Sequence, residues 1–447
     1  METPVILTPS TTQGSSLSRA KSFLSVKPHY FTNLILSCAL FLVFTASALT
    51  QQPLSLADAA SQGQFIYEQS GVTGMVLVVV RNREVMIKGY GETYPGSGHP
   101  PDSTSIVRLC SVSKILTTDL LQKLVADGKL SLTDPLQNYA PPGLKVPLAI
   151  KDPAAPNRPT KASESPITLL DLATHTAGLS REVSSYPRKT PHFTFPDLKF
   201  RWDWLPKQKL LSTPGTAAAY SNIGFDLLGD ALASASGESY ATLLHDRLLQ
   251  PLNMWDTTLF PSADQCARLM QGSEDEGPCT STEQSGASGG VYSTPADMAK
   301  LLQYLLHTPN PIPNASPLAS PALTVYLDPS QLKSVQGISH AGDPTGIGLA
   351  WIQIGDPTSP SVILEKTGGG AGFTTYIALS PDRRTGIFLA ATEGKGKQQI
   401  DFYHEANNLL AALANVPPLP PRVRPAPAAK KHPKRRVRPA AHPQPKA

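Results

Sequence analysis

Helix-type spacing of hydrophobic residues is concentrated in the middle of the chain. Apolar positions three and four residues apart predict helices at Leu54–Ser70, Ile115–Leu130, Pro166–Thr174, Ile223–Ala233, Tyr240–Leu249, Ala296–Leu306 and Gln398–Ala414. Within the second of these runs, Ala126-Asp-Gly-Lys129 is predicted to close the helix. Thr294 before Pro295 is typical of a helix start, because threonine caps free N–H groups and proline fits the first turn. Five of these segments fall between residues 110 and 340, which predicts a mostly helical lobe there.

Strand-type patterns lie toward the two ends. Thr73–Val80 is a nearly continuous run of apolar and β-branched residues, and Val85–Tyr90 returns after a polar turn, which predicts a hairpin whose first strand is buried on both faces. Further strand-like runs occupy Ile347–Ile354, Ser361–Lys366, Phe373–Leu379 and Thr385–Ala391. The chain therefore predicts an α/β (α+β) fold, in which one antiparallel sheet built from both chain ends is flanked by helices.

Two long segments, residues 141–166 and 180–207, interrupt the helical region. Both are rich in proline, which favours loops. Loops of this length inside a compact domain are usually functional or disordered. We predict that they wall a substrate cleft.

Charge is distributed unevenly over the 447 residues. The net charge is +5, but residues 422–447 hold nine Lys or Arg and no acidic residue, so residues 51–421 carry −6. A hydrophobic content of 40% allows a sizeable core. We predict a folded domain at 49–415 and a disordered, basic, Pro-rich tail at 416–447.

Residues 1–48 have the pattern of an export signal. Basic residues precede an apolar run at Leu34–Phe44, and Ala46-Ser-Ala48 matches a cleavage site. A retained anchor at the inner membrane is the alternative, although the run is shorter than the roughly 20 residues that cross hydrocarbon. We therefore predict a periplasmic protein. Export also allows Cys266 and Cys279, which flank a polar loop, to close into a disulfide.

An S-x-x-K motif lies directly before one predicted helix. Ser111 and Lys114 would lie one turn apart on the same helix face, so the lysine amine can reach the serine hydroxyl. The same pattern also occurs at Ser18 and Ser330, so alone it is weak. Cys110, beside the serine, is interpreted as a small buried packing residue.

Two further motifs strengthen the first. Tyr220-Ser-Asn222 is the only Y-x-N in the chain, Lys366-Thr-Gly368 is the only K-T-G, and both follow the S-x-x-K motif in order. This ordered set predicts a serine nucleophile site.

The predicted chemistry assigns a role to each of these side chains. Ser111 needs a base, and Lys114 can serve if burial and a second cation, Lys366, lower its pKa. Tyr220 can relay the proton, because a phenolate is favoured near two ammonium groups. Which of Lys114 and Tyr220 accepts the proton first is left open. Asn222 suits orientation of the lysine or of a substrate amide.

The oxyanion of an acyl-transfer reaction needs two fixed donors. The backbone N–H groups of Ser111 and Gly369 are predicted to supply them, with Thr367 and Gly368 bordering the substrate. The glycine run Gly368–Gly372 lets backbone approach a ligand closely, and a merely flexible strand end is the alternative.

Other site types are less well supported. Gly286-Ala-Ser288-Gly-Gly290 matches a nucleophile elbow, but that motif needs a preceding strand and Thr280–Ser285 is polar. His175 is interpreted as a helix-end histidine that bonds nearby backbone. Because H-E-x-x-H and C-x-x-C are absent from the sequence, we predict neither a metal nor a cofactor.

The chain resembles the class C β-lactamase and penicillin-binding DD-peptidase superfamily over about residues 52–415, and within it the AmpH-type D-alanyl-D-alanine carboxypeptidases/endopeptidases. The stretches that carry the resemblance are Tyr90–Gly96, Tyr139–Gly143, Leu172–Gly178, Ala219–Leu228, Gly289–Asp297 and Glu365–Phe373. The resemblance implies a serine β-lactamase-like catalytic domain without a cofactor. It also assigns the catalytic roles to Ser111, Lys114, Tyr220, Asn222 and Lys366.

The activity that this resemblance implies is cleavage of D-Ala-D-Ala amides in peptidoglycan stem peptides or cross-links, through an acyl-serine that penicillins also form. A β-lactamase and a non-catalytic penicillin-binding sensor are the alternatives. Gly369 stands where many lactamases have a hydroxyl residue, which leaves carboxypeptidase against endopeptidase preference open. For the basic tail, export favours an anionic wall polymer or membrane over nucleic acid, and a solubilising tail without a partner is the alternative.

Overall fold

The computed structural model describes residues 52–150, 164–273, 277–306 and 323–420. The predicted export signal and the basic residues 422–447 lie outside this part of the chain. A compact unit begins at Pro53 and contains every element described below.

The described residues form helices and strands that alternate along much of the chain. The α-helices are α1 Leu56–Ser70, α2 Ser113–Ala126, α3 Leu169–Ala173, α4 Leu198–Trp204, α5 Asn222–Ser236, α6 Tyr240–Leu244, α7 Ala263–Ala267, α8 Pro295–Leu305 and α9 Phe402–Ala414. The strands are β1 Gly74–Arg81, β2 Glu84–Gly91, β3 Val107–Arg108, β4 Ala149–Ile150, β5 Glu164–Ser165, β6 Ala218–Ala219, β7 Tyr292–Ser293, β8 Val325–Leu327, β9 Val335–Gln336, β10 Pro344–Gly348, β11 Ile352–Ile354, β12 Ile363–Gly370, β13 Phe373–Ser380 and β14 Thr385–Thr392.

One eight-stranded sheet organises the domain, in the order β2-β1-β14-β13-β12-β11-β10-β8. Every neighbouring pair is antiparallel. β1 pairs with β14 from Met75↔Ala391 to Arg81↔Thr385, so strands from the two ends of the domain meet in the sheet. The predicted antiparallel sheet built from both chain ends is confirmed.

Strand β1 is buried on both faces because the sheet has a hydrophobic layer on each side. Alternate residues of β1 enter two different cores. Val76, Val78 and Val80 pack with the helical lobe, whereas Met75, Leu77 and Val79 pack with α1 and α9. This explains the continuous apolar run that the sequence shows there.

Short polar residues define several helix starts. The Ser55 side chain accepts a hydrogen bond from Asp58 N at α1, and the Thr294 side chain accepts one from Asp297 N at α8, where Pro295 opens the helix as predicted. The Ser221 side chain accepts one from Gly224 N and so begins α5 between Tyr220 and Asn222.

The structure differs from several predicted boundaries. The run Ile347–Ile354 is two strands, β10 and β11, because the backbone reverses at Ala350, where φ is +63°. The helix predicted at Gln398 begins at Phe402, where Asp401 caps it. The 180–207 segment, predicted as a loop throughout, contains α4. The helix after Ser111 ends at Ala126, where Ala126–Lys129 was predicted to close it.

Candidate active site

The K-T-G strand reaches beyond its neighbour in the sheet. β11 pairs with β12 only at Ile363–Glu365, and β12 continues through Lys366 to Gly370. Lys366 therefore lies inside the strand, although the sequence placed it at a strand end. The extension approaches the Ser111 turn, where Thr375 Oγ1 of β13 donates to the carbonyl of Leu109 at 2.9 Å.

Ser111 lies in a single 3-10 turn, Cys110–Val112, that runs directly into α2. The turn places Lys114 in the first turn of the helix, with its side chain fully buried. Lys114 Nζ lies 3.5 Å from Ser111 Oγ. The predicted reach of the lysine to the serine is thus present in the structure.

Tyr220 and Asn222 flank the start of α5. Tyr220 Oη donates to Ser111 Oγ at 2.5 Å, and Asn222 Oδ1 accepts from Lys114 Nζ at 2.6 Å. Lys114 Nζ also donates to the carbonyl of Ser288. The second motif therefore holds both the nucleophile and the lysine.

Lys366 completes the cluster from the sheet side. Its Nζ lies 5.2 Å from the centroid of the Tyr220 ring, and Lys114 Nζ lies 4.9 Å from the same centroid. Lys366 Nζ donates to the carbonyl of Thr367 at 3.2 Å. Three segments far apart in sequence thus bring two amines, a phenol, an amide and a hydroxyl together.

Burial changes the protonation of the site. It lowers the pKa of Lys114 to about 7, against the opposing effect of the carboxylates of Asp226 and Glu182. The Arg181 guanidinium adds to the lowering. Lys366, to which the sequence assigned this part, also interacts unfavourably with Lys114, since Lys114 lowers the pKa of Lys366. Lys114 can therefore be neutral for part of the time near neutral pH, as a base requires.

The tyrosine behaves differently from the sequence interpretation. Burial raises the pKa of Tyr220, and this effect exceeds the lowering by Lys366 and by the Ser111 hydrogen bond. Tyr220 is therefore a phenol at neutral pH rather than the phenolate that two ammonium groups would favour. The pKa of Lys366 is lowered, mainly by burial.

A cavity of about 740 Å³ opens at the nucleophile. Ser111, Tyr220, Thr367, Gly368 and Gly369 line one part of it. A Cβ atom at Gly368 would lie 2.9 Å from the carbonyl of Leu109 and 3.1 Å from Ser111 N, so a side chain has no room there. The glycine lets the strand backbone lie against the Ser111 turn, where two N–H groups could meet one oxygen.

Three charged residues of the site were missed from the sequence. Glu182 Oε1 accepts from Asn222 Nδ2 at 2.5 Å, Asp226 is buried one turn after Asn222, and Arg181 lines the cavity. Burial raises the pKa of Asp226. Arg181 and Glu182 follow the Leu172–Gly178 stretch closely and open the loop that was predicted to wall a cleft, which is the one signal that could have found them.

The alternative interpretations can be compared with the same geometry. Ser288 follows a 3-10 turn, Glu283–Ser285, and no strand precedes it in residues 277–287, so the nucleophile elbow is absent there. His175 Nδ1 accepts from Ser221 N at 3.1 Å, as a helix-end histidine was expected to bond backbone. Cys110 is buried, with Sγ 3.2 Å from the carbonyl of Gly370.

Two further features concern the described residues only. Within them no three His, Cys, Asp or Glu side chains converge as a metal site, and no helix is both long and apolar enough to cross a bilayer. Cys266 and Cys279 form a disulfide, as the sequence allowed.

Comparison with known proteins gives one consistent result. Residues 56–413 match the Beta-lactamase family. The chain is 37% identical over 392 residues to the D-alanyl-D-alanine-carboxypeptidase/endopeptidase AmpH of Escherichia coli K12, covering 87% of this chain and 98% of that protein. The β-lactamase/D-alanine carboxypeptidase from Yersinia pestis, solved with citrate, has a TM-score of 0.72 and 38% identity, covering 83% of this chain and 99% of that chain.

A more distant structure shares the fold. The D-alanine carboxypeptidase AmpC from Burkholderia cenocepacia has a TM-score of 0.59 at 23% identity, covering 80% of this chain and 99% of that chain. The predicted resemblance and the predicted serine β-lactamase-like fold are confirmed.

Proposed function

The chain belongs to the beta-lactamase family, and we propose that it is a serine hydrolase that cleaves D-alanyl-D-alanine amides of peptidoglycan through an acyl-Ser111 intermediate. The observation that carries the proposal is the contact of one hydroxyl, Ser111 Oγ, with both Tyr220 Oη and Lys114 Nζ beside an open cavity. The name of the Escherichia coli relative supports this choice of substrate.

In the acylation step, Ser111 Oγ attacks the carbonyl carbon of the penultimate D-alanine. Its proton passes to Lys114 directly or through Tyr220, and the backbone N–H groups of Ser111 and Gly369 stabilise the oxyanion. When the C–N bond breaks, the leaving nitrogen takes that proton and departs as an amine. The acyl group stays on Ser111 as an ester.

In the deacylation step, water attacks the ester carbonyl and gives a proton to the same base. The C–O bond to Ser111 breaks, the serine regains its proton, and the shortened peptide leaves as a carboxylic acid. Asn222 holds Lys114 in place throughout, since its carbonyl oxygen accepts from the lysine. Lys366 places its amine beside the Tyr220 ring.

β-Lactams offer the same carbonyl-nitrogen bond in a strained ring, so they acylate Ser111 in this proposal. How quickly the resulting ester hydrolyses separates a peptidase that penicillin inhibits from a β-lactamase. A β-lactamase is therefore the second candidate function, favoured by the family itself.

The test uses the full chain and a fluorescent penicillin. Wild-type protein is expected to form a covalent adduct that Ser111→Ala loses. Ser330→Ala is the matched control, because Ser330 has the same S-x-x-K pattern but is exposed. Disaccharide pentapeptide and cross-linked dimer, given separately, then distinguish carboxypeptidase from endopeptidase. Rapid turnover of nitrocefin with neither peptide cleaved would instead favour the β-lactamase.

The termini complete the proposal. An export signal at 1–48 would deliver the enzyme to the periplasm, where its substrate lies. The nine basic residues at 422–447 would bind an anionic wall polymer or membrane by charge. Removal of residues 418–447 should reduce sedimentation with membranes or sacculi at low salt, and unchanged partitioning would refute this role.

A further inference from the structure

We propose that Arg181 is a substrate-specificity residue, whose guanidinium binds the carboxylate on the carbon next to the leaving nitrogen. It would select substrates that carry this carboxylate. The inference deepens the proposed function and rests on it, because it concerns the same cleft.

The backbone of Arg181 is fixed against the Tyr220-Ser-Asn222 motif. Its carbonyl accepts from Asn222 N at 2.8 Å and from Ile223 N at 3.4 Å, the first N–H groups of α5. The side chain then reaches over the tyrosine, with Cζ 4.8 Å from the centroid of the Tyr220 ring. The arginine is therefore held beside the group that contacts the nucleophile.

The guanidinium is available to a ligand. The side chain keeps 59% of its surface exposed, and its nearest acidic atom is Glu182 Oε1, at 3.8 Å from Nε. The oxygens of Glu182 already accept from Asn222 Nδ2 and from Tyr186 Oη. Within the described residues, the Arg181 guanidinium itself makes no hydrogen bond.

Arg181 is also the one lysine or arginine among the cavity-lining residues of the described chain. Lys114 and Lys366 are 0% and 1% exposed and donate to protein atoms, so neither lysine lies on the surface of the cavity. The acidic residues Asp343 and Asp401 also line the cavity. Among the described residues, Arg181 is therefore the one guanidinium or ammonium group that the cavity wall offers to a ligand carboxylate.

The position fits the chemistry of the leaving group. Tyr220 Oη lies 2.5 Å from Ser111 Oγ, so a scissile nitrogen that takes the serine proton must lie near the phenol. In a C-terminal D-Ala-D-Ala peptide, the next carbon carries a carboxylate. The same is true when the leaving amine is the D-centre of a diamino acid in a cross-link, and for the thiazolidine carbon of penicillins. One arginine could thus serve all three substrates.

The residue type fits as well. Arginine presents paired N–H donors that match a carboxylate, and it keeps its charge at all working pH values. Position 369, which follows K-T-G and also lines the cavity, is glycine and offers no side-chain hydroxyl to a carboxylate. Recognition of the charge then depends on Arg181 together with the Thr367 side chain.

The experiment compares two peptides with full-length protein: an acylated L-Lys-D-Ala-D-Ala and the same peptide ending in a carboxamide. Arg181→Met should lower kcat/KM for the acid by roughly 10- to 100-fold, as loss of a charged hydrogen bond does, and for the carboxamide by less than about threefold. Arg181→Lys should recover part of the loss. Arg188→Met, an exposed arginine of the same loop, is the control.

The remaining outcomes of this experiment either overturn the inference or call for a second pair of substrates. Equal losses on both peptides would mean that Arg181 acts only through the pKa of the catalytic groups, and no loss would mean that it does not contact substrate. If wild-type protein cleaves neither peptide, the proposed function fails. The acylation rates of benzylpenicillin and its methyl ester, read by intact mass, then decide: a loss in Arg181→Met confined to the acid supports the anchor. Equal losses, no loss, or no adduct at all refute it.

Discussion

Tyr220 Oη lies 2.5 Å from Ser111 Oγ, closer to the nucleophile than Lys114 Nζ, which lies 3.5 Å away. Burial raises the pKa of the tyrosine and lowers that of the lysine to about 7. The nearer group is therefore protonated at neutral pH, and the farther one can be neutral. This relationship favours a relay, in which the phenol passes the serine proton to the lysine.

The relay predicts a specific result for Tyr220→Phe. The acylation rate with benzylpenicillin should fall by about 100- to 10,000-fold, the range for loss of a positioned acid or base. The wild-type rate should rise with pH up to about 7 and then level off, because neutral Lys114 is needed. The pH midpoint of this rise should be the same in Tyr220→Phe. Acylation rates measured by quenched-flow mass spectrometry from pH 5.5 to 9 give the midpoint for both proteins. If Tyr220→Phe lacked this midpoint, the tyrosine would be the group whose titration controls the acylation rate.

Glu182→Gln should move that midpoint to lower pH. The Glu182 carboxylate raises the pKa of Lys114, so its removal lets the lysine lose its proton at lower pH. Glutamine can still accept from Asn222, which keeps the geometry. The acylation rate measured as a function of pH gives the shift of the midpoint, and Glu238→Gln, at a distant position, is the control. A midpoint that stays in place or rises would contradict the electrostatic role.

Gly368→Ala should disable the site. Its Cβ would lie 2.2 Å from Thr375 Oγ1 and 2.9 Å from the Leu109 carbonyl, so the strand must move away from the Ser111 turn. We expect at least a hundredfold slower acylation and about 1 to 3 kcal/mol lower stability, as in overpacked cores. Gly369→Ala is the control for folding, because the atom nearest to a Cβ at this position would be 3.8 Å away. Full acylation by Gly368→Ala would show that this close approach is dispensable.

The paired substitution Cys266→Ser/Cys279→Ser should lower the free energy of unfolding by about 3 kcal/mol, because the bridge closes a loop of about 14 residues. Denaturant titration measures this. Reductant should destabilise the wild type by a similar amount and leave the double variant unchanged. A reductant effect on the double variant would place the sensitivity elsewhere.

The buried carboxyl group of Asp119 should make the free energy of unfolding depend on pH. Burial raises its pKa to about 6, above its ordinary value, although Lys123 and the hydrogen bond that Tyr304 Oη donates to Oδ2 at 3.1 Å act to lower it. The folded state therefore holds a proton that the unfolded state has lost, and this stabilisation disappears as pH rises through about 6. Relative to wild type, Asp119→Asn should gain about 2 kcal/mol between pH 4.5 and 7.5, read by urea titration. A constant difference would refute this titration.

The sequence predicted features that depend on nearby residues. The Thr294 cap, the Ser111 and Lys114 spacing and the two-faced burial of the first strand follow from local patterns, and the structure contains all three. The order of the three motifs along the chain also indicated that their distant segments meet at one site.

Features made by tertiary contact could not be predicted in this way. The turn between β10 and β11 passes through Ala350, which is not a typical turn residue, and its N–H donates to the carbonyl of Ala173 in α3. The Arg181 and Glu182 positions depend on α5 folding back onto their loop. The protonation of Tyr220 depends on the depth of burial, which no motif encodes.

The pairing of β1 with β14 has a consequence for synthesis on the ribosome. A nascent chain that has emerged only as far as α8 already contains Ser111 and Tyr220, but it lacks Lys366 and the strand that covers one edge of β1. Such a chain has an incomplete site, and its first strand offers an unpaired apolar edge to other chains. The first strand therefore lacks its partner on this edge until residue 392 has been synthesised.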